Sequence, residues 1–296
     1  MTAISSTIER LIERYDYFLL DVWGVIHDGY EVYPGVKASL EKITSLKKQV
    51  MFVSNAPRPA PIISSKLNSL GLSVTLSQIL TSGDVVRNQL LTYEDEVFSK
   101  LGKRFYHLGA EKNQDILSNL LVQTVDQLEE ADFILMTAYL DEGEDLEQFT
   151  SLFQQAQKLQ LPLICANPDK DIINGNQIRY CSGYFALQYE KMNGKVFYYG
   201  KPYHNIYKEV FTRLGFSFDD SEKLRRVLMI GDTLETDIQG AMNANIDSAL
   251  VLTGNMGVSL AKNRIEAKEE TAFLTNTFRH QNIVPTWVIP SFGVPH

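Results

Sequence analysis

The chain holds 296 residues with a formal net charge of −8, and 44% of them are hydrophobic. That length favours two domains over one, and the apolar share is enough for packed cores with no mark of disorder. The acidic balance argues against nucleic acid or an anionic membrane surface as the main partner. No apolar run reaches membrane-spanning length, and Ile8-Glu9-Arg10-Leu11-Ile12-Glu13-Arg14 reads as a charged amphipathic helix rather than a signal sequence. A soluble, cytoplasmic protein without membrane or nucleic-acid partners is therefore expected. Cys165 and Cys181 show neither metal-ligand spacing nor a disulfide framework, and are expected as small buried residues.

The first strong element is the apolar run Tyr17-Phe18-Leu19-Leu20, which stops at Asp21 and is followed by Gly24. A buried parallel strand with an acidic side chain at its C-terminal end has this form, and ligands bind at that edge in open α/β sheets. From these residues alone, Asp21 reads equally as a nucleophile or cation ligand and as a turn cap. Apolar positions Val36, Leu40, Ile43 and Leu46 recur at helical spacing. A second strand over 49–53 ends in Ser54-Asn55, where Pro57 and Pro59 stop it. A helix over 62–70 ends at Gly71. The pattern is β-α-β-α with a polar residue at each strand mouth.

After a looser stretch over 90–102, a second β-α series follows, with strands at 104–108, 131–138 and 161–166 and helices at about 113–121 and 146–159. These strands do not end in carboxylates, so the series reads as a separate lid-like domain. The domain expectation is a core over 1–92, an α/β cap over 93–194, and a second core part over 195–296. Turn signals at 167–169 and 173–176 and a helix at 185–191 close the cap. The acidic run 141–145 reads as a solvated loop and helix start. A strand over 195–199 then leads to Gly200-Lys201-Pro202, and a strand over 226–230 leads to Gly231-Asp232. The loop Thr233-Leu234-Glu235-Thr236-Asp237 opens a helix, with Asp237 expected to cap it, and 248–252 is one more strand.

Four strand mouths thus carry Asp21, Ser54-Asn55, Lys201 and Asp232 with Asp237, expected along one edge of one sheet. The chemistry is coherent. Carboxylates hold a hard divalent cation, while a lysine and a serine hydroxyl hold phosphoryl oxygens. A carboxylate whose repulsion toward that anion is cancelled can attack phosphorus.

The order Asp21-Val22-Trp23-Gly24-Val25, Ser54-Asn55, Gly200-Lys201-Pro202 and Gly231-Asp232-Thr233-x-x-Thr236-Asp237 resembles the haloacid-dehalogenase (HAD) superfamily. The long insertion between Ser54 and Lys201 is similar to its class IIA, the NagD-like and p-nitrophenylphosphatase-like proteins. The resemblance implies a Rossmann-like parallel sheet core with an inserted α/β cap of C2 type. It implies a Mg2+-dependent phosphatase acting on a small phosphorylated metabolite through an aspartyl-phosphate. Asp21 would be nucleophile and metal ligand, Ser54 and Asn55 would bind phosphate, and Lys201 would bridge phosphate and Asp21. Asp232, Asp237 and the backbone carbonyl of Trp23 would complete the metal site. Association as a homodimer through the cap is a further expectation from class IIA relatives.

One departure stands out. Where phosphatases of the family carry a second Asp, two residues after the nucleophile, this chain has Trp23, whose indole N–H only donates. Loss of one general acid/base costs on the order of 10²–10⁴-fold. Three readings follow: a weak phosphatase limited to good leaving groups, a substitute acid from His27 or Asp28, or a non-catalytic phospho-ligand binder or regulatory protein. True dehalogenases carry an aromatic residue there too, but lack the acids at positions 232 and 237. A smaller departure is Ala56 in place of a second asparagine. His27 reads foremost as a packed turn histidine, Asp28-Gly29 as turn chemistry, and Tyr180, Tyr184, Phe185 and Tyr189 as core.

Overall fold

The run Phe18-Leu19-Leu20 is apolar on both faces, which suits only a strand covered on both sides, and all three side chains are fully buried. The computed structural model, which describes residues 4–109, 116–117, 123–141, 147–174 and 177–293, puts this strand inside a seven-stranded sheet. Its order is β1 (Ile4–Ser5), β15 (Trp287–Ile289), β14 (Asp247–Val251), β13 (Val227–Gly231), β2 (Tyr17–Leu20), β3 (Gln49–Ser54) and β4 (Ile79–Thr81). The pairings from β1 through β3 are parallel, with Leu20 opposite both Phe52 and Ile230.

Two compact units divide the chain: 1–54, 64–79 and 207–296 form the first, and 55–63 with 80–206 the second. The second holds a five-stranded parallel sheet, β12 (Val196–Tyr198), β9 (Leu163–Cys165), β7 (Phe133–Thr137), β5 (Arg104–Gly109) and β6 (Gln123–Val125). It also holds an antiparallel sheet of β10 (Asp171–Asn174), β11 (Gln177–Tyr180) and β8 (Leu140–Asp141). The helices Glu147–Lys158 and Ser182–Lys191 bring Phe149 onto Phe185, ring centroids 4.3 Å apart, in a core that also buries Phe153 and Tyr189. Tyr180 and Tyr184 pack against it half-buried, so the aromatic cluster is core as expected.

The α/β expectation with an inserted α/β unit holds. One strand is corrected. The segment counted with 195–296 as part of the core sheet is β12, whose Val196, Phe197 and Tyr198 pair with Leu163, Ile164 and Cys165. An apolar run announces a strand but not the partner it chooses. Lys201 therefore leaves a different sheet from Asp21 and Asp232.

The helix Ser82–Thr92, most of it ahead of the looser stretch over 90–102, went unread, although Thr81 and Asp84 form a capping box: the Thr81 hydroxyl accepts Asp84 N–H at 2.9 Å and the Asp84 carboxylate accepts Thr81 N–H at 3.1 Å. Of the helix expected at 113–121, residues 113–115 and 118–121 lie outside the described residues, as do 142–145 of the acidic run and 175–176 of the turn. Among the described residues, both cysteines are free and buried, and no helix is long and apolar enough to cross a membrane.

Candidate active site

In the first unit, parallel register decides which side chains meet. Because Leu20 lies opposite Ile230 and Asp21 N–H donates to the Ile230 carbonyl at 2.9 Å, the residues just beyond each strand emerge side by side. These are Asp21 and Asp232. Asp237, on the single turn Leu234–Ile238, completes a group of three buried carboxylates with oxygens all within 4.8 Å of one another. Ser54 ends the neighbouring strand β3 and is likewise buried. The sequence expectations for Asp21, Ser54, Asp232 and Asp237 thus come to adjacent mouths of one sheet.

Two carboxylate charges about 4.8 Å apart repel by roughly 3 kcal/mol at an effective dielectric near 20. Three together in a buried site can hold a cation that offsets this, and an all-oxygen donor set suits a hard one such as Mg2+. This is the one such group of acidic, His or Cys ligands among the described residues. Local bonds hold it open. Asp237 Oδ2 accepts the N–H groups of Asp232 and Thr233, both at 3.1 Å, so its side chain secures the strand end rather than capping the following helix as expected. Asp232 Oδ1 accepts the Thr233 hydroxyl at 3.0 Å, and its Oδ2 accepts Asn255 N–H at 2.6 Å.

The loop after β14 was missed as part of the site. Besides the Asn255 main-chain bond, Asn255 Nδ2 donates to Thr233 Oγ1 at 2.8 Å and Thr253 Oγ1 to the Gly24 carbonyl at 2.6 Å. Gly254, at φ +54°, lies so close to Gly24 that a Cβ on it would stand 2.5 Å from the Gly24 Cα and 2.0 Å from Asp232 Oδ2. The available signal was a polar Thr-Gly-Asn at another strand mouth, the pattern used for the other site residues.

Trp23 is half-buried, and its ring covers Gly29, where a Cβ would come within 2.6 Å of it. His27 packs edge-on to that ring, centroids 5.3 Å apart, and its Nδ1 accepts Gly29 N–H at 2.9 Å. Burial foremost, with the charge of Lys66, pushes the His27 pKa down to about 4, so the imidazole is neutral at pH 7. Asp28 is exposed; its Oδ1 accepts the Glu31 and Tyr30 N–H groups at 2.8 Å, which holds its carboxyl below the usual range. Neither residue has the features of a proton donor near neutrality.

Asn55 and Lys201 belong to the second unit and are nearly fully buried, at 2% and 1% exposure. Asn55 Oδ1 accepts Lys201 N–H at 2.7 Å, and its Nδ2 donates to the Lys201 carbonyl at 2.9 Å and to Asp169 Oδ1 at 2.8 Å. The Asn55 side chain is thereby committed to Lys201 and Asp169. His107 bonds Thr137 through Nε2 at 2.8 Å.

The profile of haloacid dehalogenase-like hydrolases matches residues 18–123, and a HAD-hydrolase-like profile matches 198–280. The 4-nitrophenylphosphatase of Schizosaccharomyces pombe is 26% identical over 275 residues, covering 83% of this chain and 86% of that protein. A solved hydrolase of the haloacid dehalogenase-like family from Brucella suis is 30% identical, with TM-score 0.75, over 86% of this chain and 91% of its own. The glycerol phosphate phosphatase of Mycobacterium tuberculosis, solved with magnesium, shares the fold at 23% identity and TM-score 0.64, over 84% of this chain and 70% of that one. The chain belongs to the haloacid dehalogenase-like hydrolases, with the class IIA placement of its inserted α/β unit.

Proposed function

We propose that this chain is a Mg2+-dependent phosphatase of small phosphorylated metabolites, working through an aspartyl-phosphate on Asp21 and slowed by Trp23. The observation that carries the reading is the buried group of Asp21, Asp232 and Asp237 beside Ser54. The named activity of the fission-yeast relative supports it. Asp21, Asp232, Asp237 and the Trp23 carbonyl would hold Mg2+. When bound, the ion neutralises charge on the phosphoryl oxygens and lowers the repulsion that the nucleophile meets.

The residues divide the remaining work. An Asp21 oxygen attacks phosphorus, and the bond from phosphorus to the leaving oxygen breaks. Ser54 Oγ and the Asn55 main chain donate to the phosphoryl oxygens, and the Lys201 ammonium offsets their charge. Water then attacks the phospho-aspartate, the bond from phosphorus to the Asp21 oxygen breaks, and phosphate leaves. Two proton transfers lack the family's usual carboxylate: one to the leaving oxygen, one from the attacking water. Aryl and acyl phosphates, whose leaving oxygens need the least protonation, are the preferred substrates.

The test measures hydrolysis of p-nitrophenyl phosphate and acetyl phosphate with Mg2+, for the wild type and Asp21→Asn. Loss of turnover in the variant is expected, and equal rates would remove Asp21 from the mechanism. The Trp23 departure and the neutral, buried His27 also favour a second reading, a phospho-ligand binder without turnover. Mg2+-dependent thermal stabilisation by beryllium fluoride, with no hydrolysis of either ester, would select it.

A further inference from the structure

We propose that Asp169 is a positioning residue for Lys201, acting through the side-chain amide of Asn55; the inference rests on the catalytic role given to Lys201 above. The argument begins with what an amide can do. A carboxamide carries two N–H donors on one end and an acceptor oxygen on the other. The Lys201 N–H only donates and the Lys201 carbonyl only accepts, so Asn55 matches this residue's main chain on both sides, at 2.7 and 2.9 Å. One donor remains, and it points to Asp169 Oδ1 at 2.8 Å. A carboxylate accepts and does not donate, so Asp169 fixes which end of the amide faces it. A flipped Asn55 would set its oxygen against the carboxylate and against the Lys201 carbonyl at once. Asp169 thereby selects the one amide orientation that grips Lys201.

The mount under Asp169 is stiff. Its N–H donates to Asn167 Oδ1 at 3.0 Å, and its carbonyl accepts Gly183 N–H at 3.0 Å, at the start of the helix Ser182–Lys191. The loops on either side are tied by Ser82, fully buried, whose hydroxyl lies 2.7 Å from the Asn55 carbonyl and 2.5 Å from that of Ala166. Gly200, at φ +126°, lets the approach happen. A Cβ there would stand 2.6 Å from Asn55 Oδ1 and 2.8 Å from Pro168 Cδ. Asn205 Oδ1 takes the Gly200 N–H at 3.0 Å, so the Lys201 segment is held from behind as well. The amide thus joins the stretches around Asp169 and Lys201, and Asp169 is the anionic partner among the bonds it makes here.

The test is a kinetic cycle on p-nitrophenyl phosphate with Mg2+, read beside the side-chain amide signals of Asn55 by NMR. Asp169→Ala should lower kcat/KM by about 10–100-fold, the usual scale for residues that orient catalytic ligands. Asp169→Asn, which keeps an acceptor for Nδ2, should recover it to within about threefold. In a Lys201→Ala background, Asp169→Ala should cost less than about twofold, because the group it positions is gone. Equal losses in the two backgrounds would overturn the proposal, as would wild-type rates in Asp169→Ala.

The NMR arm stands apart from turnover. Asn55 side-chain N–H signals shifted from free-amide positions and slow to exchange with solvent are expected in the wild type, with the shift and the protection of one N–H lost in Asp169→Ala; unchanged signals would overturn the amide geometry. Should Asp169→Ala not fold, Asn55→Asp places a carboxylate against Asp169 and should lose activity that adding Asp169→Asn partly restores; no restoration counts against the proposal. A wild type without any hydrolysis would instead sink the phosphatase reading, and the NMR arm would still report on Asn55.

Discussion

Gly254→Ala is the sharpest test of how the acidic site is built. The residue sits at φ +54°, where a β-carbon costs about 1–2 kcal/mol. The new methyl would stand 2.0 Å from Asp232 Oδ2 and 2.5 Å from the Gly24 Cα, and overpacking of this kind costs about 1–3 kcal/mol. The total, about 2–5 kcal/mol, must be relieved by moving Asp232, the Gly24 main chain, or both. Displaced metal ligands typically lose about 10–100-fold in affinity, which removes about 1.4–2.7 kcal/mol of Mg2+-linked stabilisation at a fixed excess of metal. The assay is thermal unfolding with chelator and with saturating Mg2+. Gly215→Ala is the control: φ is +77°, yet nothing lies within 4 Å of its Cβ, so it carries the backbone cost without the collision. Gly215→Ala should lose about 1–2 kcal/mol and keep the full Mg2+ response. Equal losses and equal Mg2+ responses in the two variants would refute the idea that Gly254 protects the Asp232 carboxylate.

Replacing Trp23 by Asp should raise turnover of alkyl phosphates tenfold or more, within the 10²–10⁴ that a placed acid/base supplies, at some cost in stability from the lost ring contact with Gly29. Unchanged steady-state rates in a folded Trp23→Asp protein would show that the indole is not the limiting defect. His27, held neutral by burial with its pKa near 4 against about 6.5 unfolded, makes the unfolded state the better proton binder between those values. Stability should therefore fall as pH drops from about 6.5 toward 4, by up to about 1.4 kcal/mol per pH unit from this group. Urea midpoints of His27→Gln, which keeps an acceptor for Gly29 N–H, should be flatter over that window; parallel curves would contradict the assignment. For the wild type, chelation of Mg2+ should lower the unfolding temperature, while Asp21→Asn should blunt that dependence because it removes the charge of one ligand and leaves a single neutral oxygen.

Much of the site was readable because strand mouths are readable. An apolar run that ends in a carboxylate says where the chain leaves the sheet, and register does the rest for Asp21, Ser54 and Asp232. Sheet membership is a different kind of information. The run before Lys201 reads as a strand just as β13 does, yet it pairs with β9, a choice made by tertiary packing that no local pattern encodes. Asn55 shows the same limit: its side-chain partners lie 114 and 146 positions away, so its hold on the lysine loop has no local signal. Asp237 was read as a helix cap because it precedes Ile238, while its oxygen turns back to the amides of 232 and 233. The Thr253-Gly254-Asn255 turn carried the same polar signal as Ser54-Asn55, yet that segment read only as one more strand and turn.

The interior place of β2, between β13 and β3, has a consequence during synthesis. One of its two neighbours, β3, is made soon after it, but the other, β13, begins only at Val227. At about 5–20 residues per second, a ribosome needs roughly 10–40 s to bridge that interval. All through it, one flank of Phe18, Leu19 and Leu20 waits without its strand partner. The stretch 80–206 emerges meanwhile with every strand of its own two sheets in hand. Nascent chains should thus mature from the inside of the sequence outward, with the early β2–β3 pair the last part of the sheet core to be covered.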